Sequence, residues 1–145
     1  MKLMYPQIID GGSHSDSRGT LWFVNDFHID EVKRFYIIEH SDPFVVRAWQ
    51  GHKREQKWFY VLAGSFKIVL TRPDNWDQPS PALDVMEYTL SSEESRVLYV
   101  PGGYANGLKA TAANSKMIVF SDFTLEQSGN DNYKFDENMW FDWHK

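Results

Sequence analysis

Short runs of β-branched and aromatic residues, separated by turn chemistry, dominate the chain. Thr20–Val24 (TLWFV), Arg34–Ile38 (RFYII) and Phe44–Trp49 (FVVRAW) each predict a strand. Trp58–Leu62 (WFYVL) and Phe66–Leu70 (FKIVL) flank Ala63-Gly64-Ser65, a short Gly-containing loop that predicts a hairpin. Val85–Leu90, Val97–Val100, Gly107–Ala110 and Met117–Phe120 continue the series. Strands at this spacing predict an all-β sandwich or barrel. Helical patterns are scarce, with single turns expected at Asp30–Lys33 and Ser91–Ser95. The segment Arg72–Leu83 holds Pro73, Pro79 and Pro81 and predicts a long loop.

Both alternating faces of Trp58–Leu62 are apolar, which predicts burial on both sides. A two-layer barrel that dimerises through its sheets meets that requirement. The aromatic end of the chain (MWFDW) is expected to fold back over the barrel or to enter a dimer contact.

Composition narrows the function classes. A chain of 145 residues predicts a single domain over 1–145, and 42% hydrophobic residues predict a real core. The net charge of −5 provides no phosphate-tracking basic face, so nucleic acid is not an expected partner. Without cysteine there are no disulfides or thiolate metal sites, and a cytoplasmic location is expected. No continuous apolar signal core opens the sequence, and no apolar run approaches ~20 residues, so no membrane span is expected.

Candidate chemistry concentrates in Val46–Ser65 (VRAWQGHKREQKWFYVLAGS). In an extended strand Gln50 and His52 share a face. His52 titrates near neutral pH. Lys57, if it opens the next strand inward, can steady an oxyanion. Arg47 offers a fork for a phosphate or sugar oxygen, with an internal carboxylate such as Asp122 as its alternative partner. A regular strand puts Arg47 on the face opposite Gln50, so a bulge or twist is expected near Ala48 or Gly51. His14, His28, His40 and His144 lack a comparable setting and are expected at the surface.

These residues carry a resemblance. Arg47-Ala48-Trp49-Gln50-Gly51-His52-Lys53 resembles the Arg-Gly-x-His-x-His-Lys of the dTDP-sugar 3,4-ketoisomerases. Lys33-Arg34-Phe35-Tyr36-Ile37 resembles their first strand. Leu90-Ser91-Ser92-Glu93 and Tyr99-Val100-Pro101-Gly102-Gly103-Tyr104-Ala105-Asn106-Gly107 resemble segments of the dTDP-4-dehydrorhamnose 3,5-epimerases, as does Lys57 ahead of Gly64. The resemblance to these metal-independent sugar-nucleotide cupins implies a jelly roll (double-stranded β-helix) and a homodimer. It implies a pocket for a thymidine-diphosphate 4-keto-6-deoxy sugar and an isomerase or epimerase chemistry. A proton leaves beside the ketone, an enolate forms, and the proton returns elsewhere, without metal or cofactor.

Carried over residue by residue, His52 and Lys57 are the catalytic candidates. Arg18, Arg47, Gln50, Tyr104 and Asn106 are the substrate-binding candidates, with Arg18 and Arg47 on the diphosphate. The chain departs from the pattern at three proton carriers. Gln50 and Asn106 stand where the resemblance implies histidines, and Phe123 stands where it implies a tyrosine. An alternative reading follows from these departures: a catalytically inactive sugar-nucleotide-binding cupin with a regulatory or scaffold role.

Overall fold

The computed structural model describes residues 4–145. Strands run in the order β1 (Gln7–Asp10), β2 (Gly12–Asp16), β3 (Gly19–Phe23), β4 (Arg34–His40), β5 (Val46–His52) and β6 (Lys57–Ala63). They continue with β7 (Ser65–Thr71), β8 (Met86–Ser91), β9 (Arg96–Val100), β10 (Tyr104–Ala110) and β11 (Ser115–Ser121). A short helix α1 (Leu125–Gly129) and strand β12 (Tyr133–Lys134) complete the series. Two five-stranded antiparallel sheets form, in the orders β1-β9-β6-β11-β4 and β12-β5-β10-β7-β8. Strands β2 and β3 pair separately as a ribbon.

The sheets face each other across one apolar interior. Phe59, Val61, Met117 and Val119 of the first sheet meet Phe66, Ile68, Leu70 and Leu108 of the second, all essentially inaccessible. Each such side chain contributes roughly 1.5–3 kcal/mol by leaving water.

The segment around Gly64 departs from the hairpin that the sequence predicts. β6 pairs with β9 and β11, whereas β7 pairs with β10 and β8, so the two strands lie in opposite sheets. Both strands are too apolar to share one sheet with a solvent face. Separated, they set Phe59 and Val61 against Phe66, Ile68 and Leu70 across the interior. Gly64 makes the corner with φ of 68°, and a Cβ there would lie 2.1 Å from Ser115 Oγ.

Each sheet also has a covered outer face. Ile9, Val24, Phe27 and Val32 lie over Trp58, Val97 and Tyr99 of the first sheet. The aromatic end folds back over the second, placing Met139, Trp140, Phe141 and Trp143 against Trp49, Val69 and Ala105. Trp49 Nε1 donates to the Met139 carbonyl at 2.9 Å, and Lys109 Nζ donates to that of Trp143 at 2.7 Å. Beyond this cover, Phe35, Ile37 and Leu62 of the first sheet remain 60%, 51% and 47% exposed.

The sequence reading omits β1, β2, β12 and α1. The helix carries a capping box, with Thr124 accepting from the Gln127 backbone and Gln127 from that of Thr124. The segments expected as single helical turns form hydrogen-bonded turns instead, closed by Val32 to Ile29 and Glu94 to Ser91. Among the described residues, no helix is long and apolar enough to cross a membrane.

Candidate active site

The expected bulge is present where β5 meets β10. Tyr104 pairs with His52 and Asn106 with Gln50, but Leu108 pairs with Arg47. Ala48 and Trp49 therefore share one partner position, Gly107, and the alternation beyond them is reset. Trp49 turns outward into the aromatic cover, and Arg47 returns to the face it shares with the interior residue Leu108.

A cavity of ≈ 300 Å³ opens at this bulge. Its walls include Tyr36 and Phe59 from the first sheet, Arg47, Gln50 and Asn106 from the second, and Lys134 from β12. Three of the five substrate-binding candidates thus line one space. Asp122 is not the partner of Arg47; its carboxylate instead takes the Gln56 backbone N–H at 2.7 Å and the Gln56 Nε2 at 2.8 Å.

His52 lies two residues beyond Gln50 on the same face and is buried. Its Nδ1 is 2.8 Å from the carbonyl oxygen of Asp131. A carbonyl only accepts, so Nδ1 carries the proton, and the neutral ring keeps its lone pair on Nε2. Nε2 is buried and has no hydrogen-bond partner among the described residues. Burial pushes the protonation of His52 below the usual histidine range, the Lys57 charge adds to this, and Glu55 and Asp131 oppose it. The ring is therefore held neutral near pH 7, in the form a general base requires.

The frame around this ring escapes sequence reasoning. The Asp131 carboxylate accepts from the backbone N–H groups of Lys53, Arg54 and Glu55 at 2.9, 2.8 and 2.8 Å. Glu55 is fully buried, with Oε1 3.3 Å from His52 Nδ1 and 2.7 Å from Ser128 Oγ. Its Oε2 takes Arg34 at 3.3 Å and the hydroxyl of Ser121. Glu55 carries a local signal, a carboxylate three residues after the candidate base. Asp131 carries none, because 79 residues separate it from His52.

Lys57 occupies the inner face of β6, in line with Phe59 and Val61 of the interior, and is buried. Its Nζ donates to the hydroxyl of Tyr36 at 2.9 Å, and Tyr36 is a wall of the cavity. The imidazole and the ammonium thus sit on facing sheets and interact electrostatically.

Neither His52 nor Lys57 is itself among the wall residues of the cavity, and the remaining two candidates, Tyr104 and Arg18, also lie outside them. Tyr104 shares the face of His52, but its hydroxyl donates to the Met4 carbonyl at 3.3 Å, and Arg72 stands 5.7 Å above its ring. Arg18 is at the tip of the β2–β3 ribbon, exposed and paired with Asp16 at 2.7 Å. Phe123 offers its carbonyl to Arg34 Nε at 3.1 Å. His40 is not at the surface: as the last residue of β4 it continues the inward alternation of Tyr36 and Ile38 and is buried against Phe66. Among the described residues no group of three or more His, Asp or Glu is arranged to hold a metal ion.

The sequence matches no protein-family model, and no curated protein matches it. Solved structures do match. A dTDP sugar isomerase from Desulfovibrio desulfuricans superposes with a TM-score of 0.76 at 18% identity, covering 95% of this chain and 90% of that one. A single-residue mutant of the 3,4-ketoisomerase QdtA from Thermoanaerobacterium thermosaccharolyticum, in complex with TDP-4-keto-6-deoxyglucose, gives 0.72 at 20% identity, with 92% and 90% covered. The dTDP-4-dehydrorhamnose 3,5-epimerase of Bacillus anthracis, with TDP and PPi bound, gives 0.76 at 16% identity, with 96% and 85% covered. By fold, then, this chain is a cupin-like jelly roll of the kind shared by dTDP-sugar 3,4-ketoisomerases and 3,5-epimerases.

Proposed function

We propose that the protein is an isomerase or epimerase that binds a dTDP-linked 4-keto-6-deoxyhexose and moves a proton beside its ketone. The observation that carries this reading is His52, held neutral with its lone pair on Nε2 and faced by the Lys57 ammonium. Nε2 takes the proton of the carbon next to the ketone. The C–H electron pair becomes the enolate double bond, and the carbonyl electrons move onto oxygen, where Lys57 and Tyr36 steady the charge. In a ketoisomerisation the hydroxyl on the deprotonated carbon gives up its proton and becomes the new ketone, while the former ketone carbon takes a proton and its oxygen is protonated to a hydroxyl. Protonation of the same carbon from the other side, with the original ketone re-formed, completes an epimerisation. Gln50 and Asn106 bind sugar hydroxyls, and Arg47 binds the diphosphate. The fold shared with QdtA, whose complex holds this class of sugar nucleotide, supports the substrate class.

The reading extends to a homodimer. Phe35, Ile37 and Leu62 form an exposed apolar face, and the β2–β3 ribbon projects Leu21, Trp22 and Arg18. Association through this face gives Arg18 a route to the cavity of a second copy, where it joins the diphosphate contacts. Phe35→Lys should shift the species seen by analytical ultracentrifugation from dimer to monomer.

The decisive experiment is exchange. In deuterated water the protein should place deuterium beside the ketone of dTDP-4-keto-6-deoxyglucose, and His52→Ala should lose at least ~10²-fold of that rate. No exchange by the wild type, or undiminished exchange by His52→Ala, would falsify the mechanism. The second reading, a binder without turnover, is favoured by the two amides Gln50 and Asn106, which stand side by side in the cavity wall and do not titrate. Calorimetric binding of thymidine diphosphate without exchange would select it.

A further inference from the structure

Residues 72–85 join β7 to β8, antiparallel neighbours that a tight hairpin turn could connect. A connection of this length without elements of its own is uncommon in a compact domain. It is nonetheless held in one shape. Asn75 Oδ1 accepts from the Asp77 and Gln78 backbones at 2.9 Å, and Asp74 Oδ1 accepts from that of Ser80 at 2.8 Å. This order carries the indole of Trp76 onto the outer face of β5.

Trp76 lies over Gly51, the residue between Gln50 and His52. A Cβ at Gly51 would come within 2.7 Å of the indole and 3.1 Å of the Phe135 ring. The indole is 5.0 Å from the ring of Tyr133, and Tyr133 is the register partner of Gly51 across β12 and β5. The Lys53 ammonium stands 5.9 Å from the centre of Trp76 and 5.0 Å from that of Tyr133, so one cation serves both rings. A second tie joins loop and tail further along, where Trp140 Nε1 donates to the Ser80 carbonyl at 2.7 Å.

β12 needs this support. It comprises two residues at the edge of its sheet, and so short a pairing opens readily unless packing holds it. Just before it lies Asp131, whose carbonyl keeps the His52 proton on Nδ1.

We infer that Trp76 is a positioning residue for His52: it clamps β12 onto β5 and so keeps the Asp131 carbonyl against Nδ1. Trp76 is not a wall of the cavity, and it acts only through the tail. The inference deepens the proposed reading of His52 as the base and rests on it for any bearing on turnover.

The test reads the ring itself, by long-range proton–nitrogen correlation spectra of the histidines at neutral pH. In the wild type His52 should show the tautomer protonated on Nδ1. Trp76→Ala should shift it toward the tautomer mixture of a free imidazole, Trp76→Phe should retain it, and Tyr133→Leu should reproduce the loss. The Phe135 amide, which donates to the Trp49 carbonyl, should exchange with solvent at least ~10-fold faster in Trp76→Ala. His40, on the other sheet, is the internal control, and its signals should stay in place. An unmoved His52 tautomer or Phe135 amide in Trp76→Ala, failure of Trp76→Phe to retain the tautomer, or an equal change at His40 would overturn the inference. The outcome is separable from the enzymatic reading. A Trp76-dependent tautomer in a wild type that places no deuterium beside the ketone upholds the clamp and defeats the reaction. Deuterium exchange with a tautomer indifferent to Trp76→Ala does the reverse.

Discussion

Each sheet contributes one buried histidine, and the two sites differ in a way that separates a reactive group from a packed one. His52 on β5 and His40 on β4 are 5% and 6% exposed. In both, burial is the main cause that depresses protonation, and a nearby cation adds to it: Lys57 for His52, Arg47 for His40. The surroundings then diverge. His52 has an acceptor on Nδ1, a carboxylate beside it and an ammonium across the barrel. Neither ring nitrogen of His40 has a partner among the described residues, and its ring packs 5.5 Å from that of Phe66. Depressed protonation alone thus does not mark a base. What sets His52 apart is its fixed tautomer and the ammonium of Lys57 acting on it.

The comparison breaks most forcefully at Asp131. Asp131→Ala deprives three backbone N–H groups of a charged acceptor. Each such bond contributes about 1.5–3 kcal/mol, so a loss of at least about 3 kcal/mol is expected in urea unfolding. An unchanged midpoint would show that the frame of His52 stands without the tail segment. Next in size is the exchange rate: His52→Ala should lose at least ~10²-fold, while His40→Leu should stay within about twofold. Equal losses would erase the distinction drawn between the two rings.

A smaller effect is expected from the stability of His40→Leu itself. Removing a buried polar ring that lacks partners should raise stability by about 1 kcal/mol in a thermal melt at neutral pH. A loss instead would mean that the His40 ring makes interactions worth more than its burial costs.

The smallest effect is a slope. Both histidines have folded values below the ordinary value of about 6.5. Between the folded and unfolded values the unfolded chain holds more protons. Stability is therefore fully present above about pH 6.5 and is lost as pH falls through that window. Each ring contributes at most about 1.4 kcal/mol per pH unit, and His40→Leu should remove one ring's share from a urea series run across it. An unaltered slope would assign the acid sensitivity to other groups.

Much of this architecture is legible in the residue pattern, for physical reasons. Strands buried on one or both faces must be rich in apolar and β-branched residues, so β4 to β11 announce themselves. The bulge at Ala48–Trp49 follows from requiring Arg47 and Gln50 on one face, and the register bears this out. Gly64 is legible as a turn but not as a corner between sheets, because the same glycine conformation serves both. The β2 segment (GSHSD) escapes notice because its ribbon is exposed on both faces and needs no apolar alternation. His40 had a signal, the continued alternation from Tyr36 through Ile38, lost when the strand is ended two residues early. Thr124 and Gln127 spell a capping box ahead of too short an apolar pattern to stand out. Glu55 shows only its spacing to His52 until its partners arrive from β4, β11 and α1. Asp131 and Lys134 lie on a polar stretch whose register no local pattern encodes.

The position of that polar stretch has a consequence for biogenesis. The backbone cap on Lys53–Glu55, the acceptor for His52 and the cover over Trp49 are all supplied by residues from Asp131 to Trp143. A ribosome releases the amino-terminal strands long before these residues clear its exit tunnel. Even when the strands through β11 are available, the loop at Lys53–Glu55 stays uncapped and the tryptophan-rich outer face of the second sheet uncovered until Trp143 emerges. Folding chaperones would then meet an uncovered outer face on the second sheet in addition to the apolar Phe35, Ile37 and Leu62 of the first.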